Sequence, residues 1–155
     1  MNKFEVAVNA KMNLSNDFPF FRYANVLMMK AECLVRTGKA DQAAALVSDV
    51  RMRAFRDNPS EATVTGTQLS ANSSYQYGYV ENYKITDPGN QDPVMYGGML
   101  DELGWEFAWE GHRRRDDIRF GVFTSKSWLS HKPVGADRAT FMIPQSAINA
   151  NPKLQ

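Results

Sequence analysis

Two helix-length apolar patterns that meet at a very short turn constrain the fold of this chain more than any other feature. In both patterns apolar residues recur at intervals of three and four, as one buried face of a helix requires. They are Tyr23, Leu27, Ala31 and Leu34 before the turn, and Ala43, Val47, Val50 and Ala54 after it. Asp17 and Pro19 are typical of a helix start, and Gly38 is typical of a helix end. Residues 19–56 are therefore predicted to form a helical hairpin.

The small residues of this hairpin resemble the tetratricopeptide pattern, in which pairs of helices stack side by side. Ala31 and Leu34 precede the turn at matching positions, and Ala43 and Val47 follow it. One such unit cannot bury both of its faces, and the sequence holds no second clear copy. The expected fold class is all-α: a tetratricopeptide-like helical hairpin plus further helices, with long irregular loops.

The rest of the chain divides into three parts, within what we predict to be a single domain of residues 1–155. Residues 57–91 are rich in Ser, Thr, Asn and Gln and have no helical period, so they are predicted to form a long polar loop. Residues 92–121 are predicted to contain a third helix and a densely charged motif. Residues 122–155 are predicted to form a loop and a tail.

The third predicted helix has two apolar faces, which indicates packing on both sides. Asp92 and Pro93 are typical of its start. Its main face consists of Tyr96, Leu100, Leu103 and Phe107. Trp105 and Trp109 lie four residues apart on another face, and we interpret them as packing residues. Cys33 is the only cysteine of the chain; it excludes an internal disulfide and is interpreted as a small core residue.

The charge balance argues against a nucleic-acid or membrane-surface partner. The 18 Lys and Arg residues and 17 Asp and Glu residues leave a net charge of +1, which gives no electrostatic reason to bind a polyanion. The most apolar stretch, residues 23–35, is interrupted by Lys30 and Glu32, so no membrane span is predicted. The first residues lack the continuous apolar run of a signal peptide.

The usual catalytic and cofactor-binding motifs are absent, so no catalytic residue, cofactor or metal site is predicted. His112 and His131 lie in different segments, and neither has neighbours at metal-ligand spacing. Three glutamates do line one helix face: Glu102, Glu106 and Glu110. A glycosidase needs two carboxylates across a cleft, whereas a row on one helix more often pairs with arginines.

The charged motif predicts a structural ion network rather than a basic patch, because acids and arginines interleave along it. The predicted members are Glu106, Glu110, Arg113, Asp116 and Arg119. We expect this network to hold the third helix against the hairpin. Arg22 or Arg53 could be the outside partner of Glu106 or Glu102.

Four tyrosines of the polar segment are the candidate ligand-binding residues: Tyr75, Tyr77, Tyr79 and Tyr83. A sugar ring packs its C–H face on an aromatic ring, while amides and hydroxyls bind its edges. Asn82, Asn90 and Gln91 would supply such amides. The same tyrosines could instead fasten a long loop to the body, or share one face of a short strand.

Three longer motifs follow one another along the chain. Residues 21–55 have the sequence FRYANVLMMKAECLVRTGKADQAAALVSDVRMRAF, residues 100–121 LDELGWEFAWEGHRRRDDIRFG, and residues 141–155 FMIPQSAINANPKLQ. Together they resemble the C-terminal region of the SusD/RagB family, whose late helical hairpin, E-G-x-R motif and closing I-P signature occur in this order. Asp117 stands where that family usually has an apolar residue, and Ala147 replaces a common acid. Gly104 and Trp105 stand where charged residues are frequent.

This resemblance implies a function that the residues alone do not. Members of the family are exported lipoproteins of Bacteroidetes-type bacteria, anchored to the outward face of the outer membrane for polysaccharide utilisation and nutrient uptake. They hold oligosaccharides or polysaccharides on an aromatic platform beside a SusC-like TonB-dependent transporter. The export signal and lipid anchor are expected outside this chain, and the main sugar site of the family is built largely from earlier sequence.

Two other functions stay open at this point. The chain could be a helical-repeat protein–protein interaction module without its own sugar site. It could also be a glycoside hydrolase fragment, although the sequence offers only the row of glutamates on one helix for that chemistry.

Overall fold

The computed structural model describes residue 9, residues 19–151 and residue 153, and the described chain is mostly helical. Asp17, the predicted helix cap, lies outside these residues. In chain order the elements are α1 (Tyr23–Arg36), α2 (Ala40–Met52), a short 3-10 helix (Pro59–Ala62), α3 (Gly66–Ser70), β1 (Gly78–Glu81), β2 (Lys84–Asp87), α4 (Gly97–Glu106), α5 (Arg113–Arg119), β3 (Trp128–Leu129), a second 3-10 helix (Ala136–Ala139) and α6 (Gln145–Ala150). None of the helices between residues 19 and 151 combines the length and apolar character needed to cross a bilayer.

The described chain is mostly helical, as predicted, but a small three-stranded sheet means that it is not purely all-α. β1 pairs antiparallel with β2 and parallel with β3, in the order β2-β1-β3. Asn82 and Tyr83 form the turn between β1 and β2, and both have positive φ, as a two-residue hairpin turn of this hand requires. The polar segment 57–91 therefore contains a 3-10 helix, α3 and two strands, instead of one long irregular loop. Strands of four residues give too short an alternation to stand out in a sequence.

The main core lies where α3 and α4 pack against the hairpin of α1 and α2. Its buried apolar residues are Met28, Ala31 and Val35 of α1, Ala43, Ala44, Val47 and Val50 of α2, Val64, Leu69, Met99, Leu103 and Phe107. A smaller cluster consists of Tyr77, Val94, Leu100 and Val122. Both clusters contain residues of α4, so this helix links the hairpin to the sheet side of the molecule.

The buried face of α1 is rotated away from the predicted stripe. Tyr23 is exposed, whereas Asn25 and Glu32 are buried. The cause is polar pairing, because Asn25 contacts His112 and Glu32 accepts hydrogen bonds from arginines. The same rotation exposes Cys33, so its interpretation as a core residue is wrong.

The third predicted helix begins later than Asp92 and Pro93 indicated. α4 starts at Gly97, directly after Tyr96, whose φ of 58° is left-handed. A Cβ on Gly97 or Gly98 would come within 1.9 Å of backbone atoms of residues 73 and 68. These two glycines therefore allow the start of α4 to contact the backbone of residues 68–73, and this contact places the segment before β1 alongside α4.

Candidate functional site

An open groove with a volume of about 710 Å³ lies between the segment before β1 and the turn that follows α4. Three exposed aromatic side chains line it: Tyr75, Trp105 and Trp109. Gln76, Arg113 and Arg114 contribute polar groups to the same walls. Exposed rings with a few converging polar groups are the usual composition of a small-ligand site.

The two tryptophans, interpreted from the sequence as packing residues, are exposed among the described residues and line the groove. Trp105 is 59% exposed and Trp109 is 81% exposed. α4 ends at Glu106, and Phe107 then enters the core. Trp109 has a φ of 65°, in the left-handed region that non-glycine residues rarely adopt. Because the chain leaves helical geometry after Glu106, the four-residue spacing of the tryptophans no longer indicates a packing face.

Tyr75 reaches the groove because a buried carboxylate fixes the residues before it. Asp101 accepts hydrogen bonds from Ser73 Oγ at 2.5 Å, from the Ser74 backbone N–H at 2.6 Å and from Ser74 Oγ at 2.8 Å. The Tyr75 ring then meets the Tyr77 ring edge to face, with centroids 5.0 Å apart. Asp101 thus fixes the position of the segment that carries Tyr75 on one wall of the groove.

The other three candidate tyrosines lie elsewhere. Tyr77 is buried in the smaller core cluster, and burial raises the pKa of its hydroxyl. Tyr79 is half-buried, with Lys132 Nζ 4.3 Å from its ring centroid. Tyr83 is fully exposed at the turn between β1 and β2. Of the four candidates, the structure brings Tyr75 alone to the groove walls.

Arg113 lies flat against α4 because Gly104 has no side chain. A Cβ at Gly104 would come 2.7 Å from Arg113 Nη1. Arg113 Nη1 donates to the Leu100 carbonyl at 3.0 Å, and its Nε lies 3.0 Å from Asp117 Oδ1. One guanidinium is thereby held along the groove wall, while 42% of the Arg113 side chain stays exposed.

Arg114 is held by contacts with aromatic rings and a carbonyl, and not by a carboxylate of the described residues. Its guanidinium carbon lies 5.0 Å from the Phe123 ring centroid and 4.6 Å from that of Phe141. It donates one hydrogen bond, of 2.7 Å, to the Arg138 carbonyl. No carboxylate of the described residues lies within 4.0 Å of it.

Asp117 is the carboxylate that pairs with Arg113, and it is a weak acid. Burial raises the pKa of Asp117 to about 6, although the charge of Arg113 works in the opposite direction. Asp116 raises this pKa further, and His131 lowers it. A fraction of the Asp117 side chains is therefore protonated near neutral pH, so Asp117 neutralises the positive charge of Arg113 only in part.

The last two glutamates of the row, Glu106 and Glu110, contact Arg22 at the start of α1. Arg22 donates to both oxygens of Glu110 at 2.8 Å, and Glu110 is buried. Glu106 contacts Arg22 and also Arg53, the latter at 3.0 Å. Glu102 contacts Arg51 instead, at 2.7 Å.

A second ion cluster joins α5 to α1. Arg119 donates to Glu32 at 2.6 and 2.8 Å and to Asp116 at 2.9 Å. Burial alone would raise the pKa of Glu32, but the hydrogen bonds from Arg119 and Arg36 outweigh it and lower the pKa. The five predicted network residues thus divide into the Arg22 cluster, the Arg119 cluster and Arg113 on the groove wall. Sequence reasoning missed Glu32, which is 87 residues from Arg119 and belongs to another motif.

Comparison with known proteins gives one family and two relatives. The sequence model of the SusD family matches residues 1–141. SusD-like protein P25 of Formosa agariphila is 26% identical over 157 aligned residues, which cover 97% of this chain and 25% of the relative. Starch-binding protein SusD of Bacteroides thetaiotaomicron is 28% identical over 143 residues, which cover 87% of this chain and 20% of the relative.

The chain thus spans about a quarter of the first relative and a fifth of the second. No solved structure matches it. Among the described residues, no three His, Cys, Asp or Glu side chains are grouped as a metal ion would require.

Proposed function

This chain belongs to the SusD family, and on that premise we propose that it binds an oligosaccharide or polysaccharide without cleaving it. One relative is named a starch-binding protein, and neither relative bears the name of an enzyme. The observation that carries the proposal is the groove lined by Tyr75, Trp105 and Trp109. Flat exposed rings suit the C–H faces of pyranoses, and Gln76 at the same wall suits their hydroxyl groups.

The proposed contact differs from the four tyrosines that the sequence suggested. Tyr75 keeps its role, and the two tryptophans join it. Tyr77 is buried beneath the groove, so we assign it a supporting role only. Tyr79 and Tyr83 lie outside the groove walls, and we propose no contact with the same sugar for them.

We further propose that the parent protein acts at the outward-facing surface of the outer membrane, as the partner of a SusC-like TonB-dependent transporter in nutrient uptake. Membership of the family supports this part of the proposal. We also propose that α1 and α2 form one unit of a tetratricopeptide-like scaffold. The exposed apolar side chains of Tyr23, Val26 and Met29 on α1 support it, since a stacked neighbouring helix would cover them.

Native affinity electrophoresis tests the sugar site. The chain is run through gels that each contain one polysaccharide, beside Trp109→Ala and Tyr75→Ala. We expect one class of glycan to retard the wild type, and both substitutions to weaken this retardation about tenfold, because each removes a stacking surface. Tyr83→Ala is the matched control, since it removes an exposed tyrosine outside the groove.

The second candidate function is a helical-repeat interaction module without its own sugar site. The exposed apolar face of α1 favours it, because such a face suits a protein partner. Migration of the wild type unchanged in every gel would contradict the sugar site and favour this alternative. Equal weakening in Trp109→Ala and Tyr83→Ala would place the contact outside the groove.

A further inference from the structure

The two faces of α5 differ in how their arginines are compensated. Arg113 and Arg114 line the groove, and Asp117 shares their side of α5, since residues three or four apart lie on one helix face. Arg115, Asp116 and Arg119 lie on the opposite side, toward α1. On that opposite side Arg119 contacts both Glu32 and Asp116, and Arg115 contacts Asp116 at 3.3 Å.

The groove face presents positive charge, although its formal charges balance. Arg113 and Arg114 line the groove together with the buried Asp101, and the buried Asp117 pairs with Arg113. Asp101 is buried and already accepts three hydrogen bonds from Ser73 and Ser74, so it presents little negative charge to a ligand. The arginines keep donors at the groove, and a ligand therefore meets guanidinium groups and no accessible carboxylate.

Arg114 has most of its donors available. A guanidinium carries five N–H groups, and one of them is bound by the Arg138 carbonyl. The described residues accept none of the others. Phe123 and Phe141 stack near the guanidinium and restrict its orientation. A donor group that is already oriented loses less entropy when it binds a partner.

We infer that the groove takes an anionic glycan, whose sugar ring carries a carboxylate or a sulfate ester, with Arg114 as the principal charge contact. This inference rests on the sugar site of the proposed function. The planar guanidinium fork matches two oxygens of a carboxylate or sulfate, and such charged hydrogen bonds are stronger than neutral ones. Trp105, Trp109 and Tyr75 would hold the ring while Arg114 selects its charge.

Isothermal titration with matched ligands tests this inference. One pair is oligogalacturonate and its methyl ester, and the other is a sulfated galactan oligosaccharide and its desulfated form. We expect the wild type to bind at least one anionic member about tenfold more tightly than its neutral partner, as a charged hydrogen bond allows. The preference should fall as salt concentration rises. Whichever pair shows it identifies carboxylate or sulfate as the recognised group.

Substitutions separate the charge contact from the stacking surface. Arg114→Gln should abolish the preference for the anionic member of each pair, whereas Arg114→Lys, which keeps the charge but not the fork, should retain part of that preference. Trp109→Ala should weaken both members of a pair. Arg115→Gln is the matched control, since it removes the neighbouring arginine on the opposite face of α5. Circular dichroism establishes that each variant is folded.

The outcomes distinguish this inference from the proposed function. Equal affinity for both members of each pair, still lost in Trp109→Ala, would overturn the anionic class and leave the sugar site intact. An equal loss in Arg114→Gln and Arg115→Gln would also overturn it, since net charge and not the groove would then set the preference. Binding of no member of either pair, and of no neutral glycan in the gels, would remove the sugar site itself.

Discussion

On the face of α5 toward α1, Arg119 contacts two buried carboxylates, whereas on the face toward the groove Arg114 contacts no carboxylate of the described residues. Arg114 and Arg119 are the same residue type in one short charged segment, so the local sequence does not explain why only one of them is paired. The difference comes from elsewhere in the chain, because α1 brings Glu32 to one face and aromatic rings reach the other. An arginine becomes structural when a distant segment supplies its carboxylate, and it stays available to a ligand when none does.

Arg119→Met should have the largest effect on stability, because it removes the arginine that pairs with the buried carboxylates of Glu32 and Asp116. The substitution leaves the buried Asp116 without its strongest partner and Glu32 with Arg36 alone. Removing one partner of a buried ion pair costs about 3–5 kcal/mol. Because 40% of the Arg119 side chain is exposed and each carboxylate keeps one other arginine, we expect a loss at the low end of this range, about 3 kcal/mol in the free energy of unfolding. Chemical denaturation measures it.

Arg114→Met is the matched variant on the groove face, and it should change the free energy of unfolding by less than about 1 kcal/mol. Equal losses in the two variants would show that the two faces do not differ in the way the contacts indicate.

The pH dependence of stability should show the second effect, through Asp117. Burial raises the pKa of Asp117 from 3.8 to about 6. The charges of Arg113 and His131 act against this rise, and that of Asp116 adds to it. The folded protein thus holds this proton more tightly than the unfolded chain does. Its contribution to stability is complete below about pH 4 and is lost as the pH rises through about 6. We expect a loss of about 2 kcal/mol, since one pKa unit corresponds to about 1.4 kcal/mol.

Asp117→Asn isolates this contribution, because the amide cannot ionise. In urea titrations, the difference in unfolding free energy between wild type and variant should change by about 2 kcal/mol between pH 4 and pH 7. Parallel stability curves over this range would mean that Asp117 titrates like an exposed carboxylate.

Glu106→Gln should have a smaller effect, although Glu106 contacts two arginines. Arg22 keeps its contacts with Glu110, and the Arg53 side chain is mostly exposed. We expect a loss of about 1 kcal/mol, measured by thermal unfolding. Glu110→Gln should cost more, since Glu110 is buried with both oxygens bound. An unchanged melting temperature in Glu106→Gln would remove Glu106 from the network.

Gly104→Ala should have the smallest effect on stability. The new methyl group meets the end of the flexible Arg113 side chain, which can move away from α4. Alanine stabilises a helix by up to about 1 kcal/mol relative to glycine, and this offsets the lost Leu100 contact. We expect a net change within about 1 kcal/mol in chemical denaturation. A loss above about 2 kcal/mol would indicate that the contacts of Arg113 at the groove contribute as much to stability as those of Arg119 on the opposite side of α5.

The helical hairpin could be predicted because local periodicity and turn chemistry carry it. Ala43, Val47 and Val50 are buried as the pattern of α2 indicates, whereas Ala54, the fourth residue of that pattern, lies beyond the end of α2 and is exposed. On α1 the pattern placed Tyr23 inward, and the polar contacts of Asn25 and Glu32 rotated the helix instead. Apolar spacing does not reveal such a rotation, since the partners come from residues almost ninety positions away.

The groove could not be predicted, for two physical reasons. Trp105 and Trp109 share a helix face only while the helix continues, and the left-handed backbone at Trp109 ends that relation. Tyr75 depends on a contact between Asp101 and the serines before it, across 27 residues. Three of the four departures from the resembling motif, Gly104, Trp105 and Asp117, lie at or beside this groove, whereas the fourth, Ala147, lies in α6.

Two of the three tryptophans of the chain stand at the groove, which gives the protein an optical reporter of its own. An indole in water emits at longer wavelength than an indole covered by an apolar surface. A pyranose laid on Trp105 or Trp109 should therefore shift the emission to shorter wavelength. Trp128 is stacked on His131, with centroids 3.8 Å apart, and does not line the groove, so it contributes a background signal. Occupancy of the groove can thus be followed in unlabelled protein by intrinsic fluorescence.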